Sequence, residues 1–342
     1  MEISAPLLQW YENNKRDLPW RHSTDPYRIW VSEIMLQQTR AAAVIPYYTR
    51  FFEVLPDIYA LAACPEEKLF KLWEGLGYYS RARNLKKCAE VIIKEHGGRF
   101  PEDEKTLRAL PGIGAYTAGA VASIAFHKPV PAVDGNVMRV LARVLRDGRN
   151  ILAEDTKKDF TAFLLTQDLS RAGELNQAFM DLGTAVCLPK APLCERCPLK
   201  KLCLARAAGE TDTLPYREKA GTRKKEQLTV FCLATEKGYL LHRRERTGLL
   251  AGLYELPNVK GWLDTKEAMA VLSGWGYGPL GPLMQYERKH VFTHIEWEMR
   301  VFACRTEAKE NGGFLFSTGR EALPTAFKKC LPEAGAAAED IE

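Results

Sequence analysis

The sequence predicts a mainly α-helical front region followed by a smaller α+β domain. Up to about Arg206 the apolar positions recur at helical spacing, with no strand alternation between them. Behind a polar, basic stretch, Thr211–Gln227, the texture changes to runs such as LTVFCLAT and GYLLHR, which read as strands. Four of the nine cysteines, Cys187, Cys194, Cys197 and Cys203, fall together at the end of the helical region. The expected boundaries are 1–210 for the helical region, 211–227 for a linker and 228–342 for the second domain.

Length and composition set the frame. A chain of 342 residues can bury two cores. No apolar run approaches the roughly 20 residues of a membrane span. The start, MEISAPLLQWYENNKR, lacks the basic-then-apolar order of a signal peptide. A cytoplasmic protein with no membrane partner is expected. The net charge of +5 is mild and compatible with nucleic acid without arguing for it.

The helices follow in order. The first carries Leu7, Leu8, Trp10 and Tyr11 and stops near Pro19. Asp25-Pro26 is a cap followed by proline at the first helical position, and it opens PYRIWVSEIMLQQT. Glu33 lies there, one turn after Ile29 and Trp30 and one before Leu36. A carboxylate on so apolar a face is expected to have a raised pKa. Further helices are expected at Val44–Leu55, Pro65–Trp73, Ser80–His96 and Pro101–Leu110. From Gly75 to Arg83, glycines give way to Tyr78 and Tyr79, then Arg81 and Arg83. Aromatics there can wedge into a base stack while arginines hold phosphates.

The stretch LPGIGAYTAGAVASIAFHKPVPAVDGN, 110–136, is the most pointed in the chain. Gly112 and Gly114 let a turn expose successive backbone N–H groups at the start of a helix, a cradle for phosphate. Asp134 stands where it caps the next helix, Val137–Leu145, and the helix terminus is expected to lower its pKa. Helices at Thr156–Leu165 and Glu174–Val186 lead to the cysteines. Their spacing, C-x6-C-x2-C-x5-C, contains a single CxxC, whereas structural zinc sites pair two such knuckles. Four thiolates on one short loop suit a 4Fe-4S cluster.

Together, SEIMLQQT, LPGIGAYTA, VDGNVMRV and the cysteine loop resemble the helix-hairpin-helix glycosylases of the endonuclease III superfamily, and within it the adenine DNA glycosylases of the MutY type. The likeness is close over about 1–206 and looser beyond. It implies a six-helix lobe, about 21–125, and a cluster lobe made of 1–20 with 126–210. It also implies a monomer acting on duplex DNA that holds adenine opposite 8-oxoguanine or guanine. Superfamily members that cut the strand carry a lysine where this chain has Tyr116, so the resemblance implies a monofunctional enzyme with water as final nucleophile. Breaking an N-glycosidic bond asks for one carboxyl as acid and one ionised carboxylate. Glu33 fits the acid and later the base for water; Asp134 fits the stabiliser of the sugar cation. Tyr116 is expected to support Asp134, and Asn136 to position Glu33 or the water.

The same resemblance puts Leu36, Gln38 and Tyr78 at the gap left by a flipped base, with Gln37 and Thr39 close to the opposite strand; Gly112, Gly114 and Arg81 are the residues expected on phosphate. Trp20 and Arg21 fall at the adenine pocket, and Gln177 stands where some relatives are acidic. In the second domain TGLLAGLYELPNV, 247–259, resembles a Nudix fold without the glutamate array that binds magnesium. The resemblance puts the reader of 8-oxoguanine at Phe292, Thr293 and His294, where relatives commonly carry Phe-Ser-His; Thr293 keeps the hydroxyl and adds a methyl. A pyrimidine-mismatch glycosylase, which lacks the second domain, and a non-enzymatic DNA-binding protein are the alternatives. The latter does not need both Glu33 and Asp134.

Overall fold

The computed structural model of the chain describes residues 1–218, 221–309 and 313–332. The Ala-rich tail after Pro332, whose composition alone predicts disorder, lies outside the described residues. The helices run α1 Ser4–Asn14, α2 Pro26–Leu36, α3 Ala41–Val54, α4 Ile58–Ala63, α5 Glu66–Trp73, α6 Ser80–His96, α7 Glu104–Ala109 and α8 Ala115–Phe126. Then come α9 Gly135–Val144, α10 Glu154–Leu165, α11 Ala172–Ala185 and α12 Leu204–Ala207. The strands are β1 Lys224–Thr235, β2 Gly238–Arg243, β3 Tyr254–Glu255, β4 Asn258–Lys260, β5 Met284–Val291, β6 Ile295–Arg305 and β7 Leu315–Phe316, with α13 Thr265–Gly274 and α14 Thr325–Lys328 among them. The chain forms two compact units. One holds Met1–Cys64 and the chain from Arg83 to the linker; the other holds Pro65–Ala82 and the chain beyond the linker.

In the first unit helix starts follow the aspartates. Asp25, Asp57 and Asp103 each accept a hydrogen bond from a backbone N–H in the first turn of α2, α4 and α7. The short helix α4 has no counterpart in the sequence expectation, and α3 begins at Ala41 rather than Val44, with Pro46 inside it. The face of α9 carrying Val137, Val140, Leu141 and Val144 packs against Ile3 and Leu7 of α1, Phe160 of α10 and Phe179 of α11. Each such side chain removed from water contributes about 1.5–3 kcal/mol. This core sets Asp134, at the head of α9, against α11.

The second unit is built on a mixed sheet in the order β3-β2-β1-β6-β5, with β4 on β1 and β7 on β2. β1 and β6 run parallel and the remaining pairs antiparallel. Alternation along β1 divides the apolar side chains between two faces. Leu228, Val230 and Cys232 meet Trp297, Met299 and Phe327 on one face, while Phe231 and Leu233 meet Phe302 and Leu272 on the other. The run Lys289–Ile295 reads as a single strand in the sequence, but it is interrupted: β5 ends at Val291 and β6 begins at Ile295. Phe292 N donates to Ile295 O (2.8 Å), closing a tight turn that carries Phe292, Thr293 and His294. Among the described residues no helix is long and apolar enough to cross a membrane.

Candidate active site

Glu33 sits in the middle of α2 with 4% of its surface exposed. Its Oε2 accepts a hydrogen bond of 2.6 Å from the Tyr116 hydroxyl, at the first turn of α8. Burial pushes the Glu33 carboxyl up to about 7, against the pull of the Tyr116 bond and of the Arg21 charge. The neighbouring Asp134 charge pushes the same way as burial. Tyr116 is itself raised well above the ordinary phenol value, by burial and by the two carboxylates, so it stays a donor.

Asp134 caps α9. Its Oδ1 accepts from the backbone N–H of Asn136 (2.9 Å) and Val137 (2.8 Å), and its Oδ2 from Asn136 Nδ2 (2.8 Å). The expected lowering of this carboxyl is reversed: burial raises it, outweighing the hydrogen bonds and Arg139 that favour the charged form. The helix terminus is there, but the loss of water is the larger effect. All three donors are N–H groups, which satisfy a carboxylate and offer nothing to a carboxylic acid proton. Glu33, by contrast, has the Tyr116 hydroxyl.

The supporting residues exchange their expected places. Tyr116 bonds Glu33 instead of Asp134, because the first turn of α8 faces α2. Asn136 bonds Asp134 instead of Glu33, because it lies in the first turn of the helix that Asp134 caps. Asn136 Oδ1 in turn accepts from Arg139 Nη2 (2.9 Å), which also donates to Gly183 O (2.7 Å); Arg139 Nε donates to Cys187 O (2.9 Å). A Cβ at Gly183 would stand 2.6 Å from Asn136 Cβ, so glycine is required for α11 to come this close.

The hairpin between α7 and α8 takes its turn at Gly112, with φ of +76°; a Cβ there would stand 2.6 Å from Asn84 Cβ. Gly114 is the N-cap of α8. Trp20 is buried edge-on against Tyr48, and with Arg21, Glu33, Leu36, Gln177 and Met180 it borders a cavity with about 430 Å³ of empty space. The sequence expectation for Trp20 and Arg21 thus meets Glu33 at one cavity. It missed Asp181, whose buried carboxylate holds Arg21 Nη1 (2.7 Å) and Nη2 (3.0 Å). The signal was available: Asp181 follows Gln177 by one helical turn. Just past α2, Gln38 is held at φ +58°, a conformation that side chains rarely adopt. Gln37 Nε2 reaches Thr117 Oγ1 at 3.5 Å, and Thr39 Oγ1 donates to Gln37 O.

In the second unit Tyr78 is likewise held at positive φ, +47°, half exposed, with its hydroxyl 3.0 Å from Thr293 Oγ1. Arg81 corrects an expectation. It is 8% exposed, its Nη2 donates to the carbonyls of Leu76 and Gly77, and it lies over the Trp73 ring. Burial lowers its pKa to about 10. Arg81 therefore braces the turn that carries Tyr78, its guanidinium turned inward where the sequence expectation had it facing phosphate. Phe292 packs against Trp297 (4.8 Å) and His290 (4.5 Å) as a buttress, leaving Thr293 and His294 exposed.

Cys187, Cys194, Cys197 and Cys203 line one cavity with about 380 Å³ of empty space, walled by Val140, Val144 and Leu182. Among the described residues no three metal-ligating side chains converge on a single ion. Four thiols bordering one cavity are a donor set of the kind a 4Fe-4S cluster takes. Burial pushes Cys197 up to about 12 and also raises Cys203, so thiolates here need bound metal. The buried Arg143 donates to Cys187 Sγ (3.2 Å) and to the carbonyls of Leu188 and Pro189.

Residues 31–164 match the HhH-GPD superfamily of base excision DNA repair proteins, and residues 229–333 match the NUDIX domain. Fold and matches define a DNA repair glycosylase with a Nudix-type second domain. Adenine DNA glycosylase of Rattus norvegicus is 37% identical over 89% of this chain and 70% of its own length. That of Homo sapiens is 37% identical over 89% and 67%, and that of Buchnera aphidicola from Acyrthosiphon pisum 33% over 78% of each. The chain belongs to the adenine DNA glycosylase family. Among solved structures, a thermostable thymine-DNA glycosylase matches with TM-score 0.55 and 32% identity, over 60% of this chain and 95% of that one. A trapped endonuclease III–DNA covalent intermediate matches with TM-score 0.50 and 26% identity, over 59% and 93%.

Proposed function

We propose that this chain is a monomeric, monofunctional glycosylase that hydrolyses the N-glycosyl bond of adenine opposite 8-oxoguanine or guanine in duplex DNA. The observation that carries the reading is the contrast between the buried carboxyl of Glu33 and the half-buried one of Asp134. Glu33 is pushed up to about 7 and bordered by a cavity, while Asp134 is clasped by three N–H donors. Their environments suit opposite protonation states near neutral pH.

The base has to leave the stack, at a cost of a few kcal/mol, to reach a cavity of this kind. Glu33 then delivers its proton to a ring nitrogen of adenine. The bond from sugar to base breaks with its electron pair going to the base, and the Asp134 carboxylate faces the positive charge left on the sugar. Glu33, now ionised and held by Tyr116, accepts a proton from the water that attacks the sugar. Tyr116 carries no amine, which supports hydrolysis without strand cutting. Gln38 and Tyr78, both held at positive φ, are the proposed fillers of the gap, with Gln37 and Thr39 toward the opposite strand and Gly112 and Gly114 on phosphate. Thr293 and His294 are the proposed readers of 8-oxoguanine.

Cys187, Cys194, Cys197 and Cys203 would hold the 4Fe-4S cluster, which when bound ties their loop together. A base-release assay on duplexes of defined mismatch tests the reading: adenine is expected from A opposite 8-oxoguanine and opposite guanine. Release of thymine opposite guanine instead would overturn it in favour of a pyrimidine-mismatch enzyme.

A further inference from the structure

Asp181 is a buried charge that the proposed chemistry does not use. It lies on α11 with 1% of its side chain exposed, and two guanidinium groups converge on it. Oδ1 accepts from Arg16 Nε (2.7 Å) and Arg21 Nη2 (3.0 Å), and Oδ2 accepts from Arg21 Nη1 (2.7 Å) and the Arg16 backbone N–H (3.3 Å). Arg21 Nη1 also donates to Arg16 O (3.1 Å), and its guanidinium lies over the Tyr11 ring. The Tyr11 hydroxyl donates to Gln177 Oε1 (3.1 Å), whose Nε2 donates to Gly173 O (3.3 Å). Arg16, Arg21 and Gln177 border the same cavity as Glu33.

A buried carboxylate needs one cation to balance it, and a matched apolar pair would often be as stable. Here two cations meet one anion, leaving a surplus positive charge at the cavity wall. Only 11% of the Arg21 side chain is exposed, so water screens that charge little. The network ties two neighbouring pieces, the turn after α1 and the segment Pro19–His22, to the distant α11, and Arg16, Arg21 and Gln177 bring all three to one cavity.

We propose that Asp181 is a positioning residue for base excision: by gripping Arg16 and Arg21 together it fixes the charged wall against which the flipped base is seated. It acts through Arg21 and touches no reacting atom. This inference rests on the reading of that cavity as the adenine pocket.

The test uses the full-length, cluster-loaded protein in single-turnover adenine release, beside Glu33→Gln, Asp181→Asn, Arg21→Met and the Asp181→Asn/Arg21→Met double variant. Glu33→Gln is expected to abolish release; if it stays active, the pocket reading falls and this inference with it. Given an inactive Glu33→Gln, Asp181→Asn is expected to slow release about tenfold to a hundredfold, the scale of a displaced positioning group, with DNA affinity and iron content unchanged. In the Arg21→Met background the same exchange should cost little more, because the partner is gone. A wild-type rate in Asp181→Asn, or losses that multiply in the double variant, would overturn the inference and leave the pocket reading standing. If Asp181→Asn does not fold, Asp181→Glu serves: it keeps the charge and should retain most of the rate, and its failure with an intact melting profile would equally overturn the proposal.

Discussion

Tyr116 donates its hydroxyl to Glu33 across 2.6 Å and so joins the first turn of α8 to the middle of α2. The bond favours the ionised carboxyl, while burial favours the neutral one and wins, which leaves Glu33 at about 7. The residue that replaces a strand-cutting lysine in the sequence pattern is thus a tuning group for the proposed acid.

The pH dependence follows. Glu33 must carry its proton to act as acid, so single-turnover release should fall as pH rises through about 7. Tyr116→Phe removes a bond that stabilises the ionised form. The descending limb is then expected to move to higher pH, and a limb that stays in place or moves down would show that the bond does not tune Glu33.

Stability should run against activity at the same residue. The unfolded chain ionises Glu33 near its ordinary value, 4.5, whereas the folded chain holds the proton up to about 7. The folded state therefore loses stability as pH rises between these values, with the full penalty above the upper one. Glu33→Gln should be inactive and yet melt at a higher temperature than the parent at pH above 7, with the gap closing toward pH 4.5. Equal melting temperatures across that range would contradict the burial argument.

The support of Asp134 can be broken from outside the site. Gly183→Ala places a Cβ 2.6 Å from Asn136 Cβ, which has to shift and give up its bond to Asp134 Oδ2. Crowding of this kind costs about 1–3 kcal/mol of stability. Asn136→Ala should lower the excision rate with little loss of stability, whereas Gly183→Ala should lower both, as read by release kinetics and thermal melting.

The metal prediction concerns composition. Protein purified without oxygen should be brown, with about four iron and four sulfide per chain. Stoichiometric zinc without sulfide would exclude a cluster. Replacing the buried Arg143 by Met, which removes the donor to Cys187 Sγ and strands three carbonyls, should lower iron retention and stability together.

Lesion preference should follow Thr293 and His294 and spare Phe292. The Thr293→Ala/His294→Ala double variant is expected to lose roughly tenfold to a hundredfold of the preference for 8-oxoguanine over guanine, the value of 1–3 kcal/mol in lost base contacts. Phe292→Ala opens a hole against Trp297 and His290 and should show first as a lower melting temperature. An unchanged preference in the double variant would place the reader elsewhere.

The sequence by itself determined the periodic helices, the glycine turn, the cysteine spacing, the change to strands after the linker and the two carboxyls, because each is a local pattern. An aspartate before an apolar-periodic run caps whatever helix follows, and four thiols on one loop are close in any fold. Tertiary structure decided what those patterns face. It gave Tyr116 to Glu33 and Asn136 to Asp134, turned Arg81 inward onto Leu76 and Gly77, and broke the expected strand at Phe292. It also brought Asp181 onto two arginines more than a hundred residues away in the chain. Above all it set the direction in which the Asp134 carboxyl shifts. A helix terminus is visible in sequence, but the water lost on packing α9 against α11 is not, and desolvation is the larger effect there.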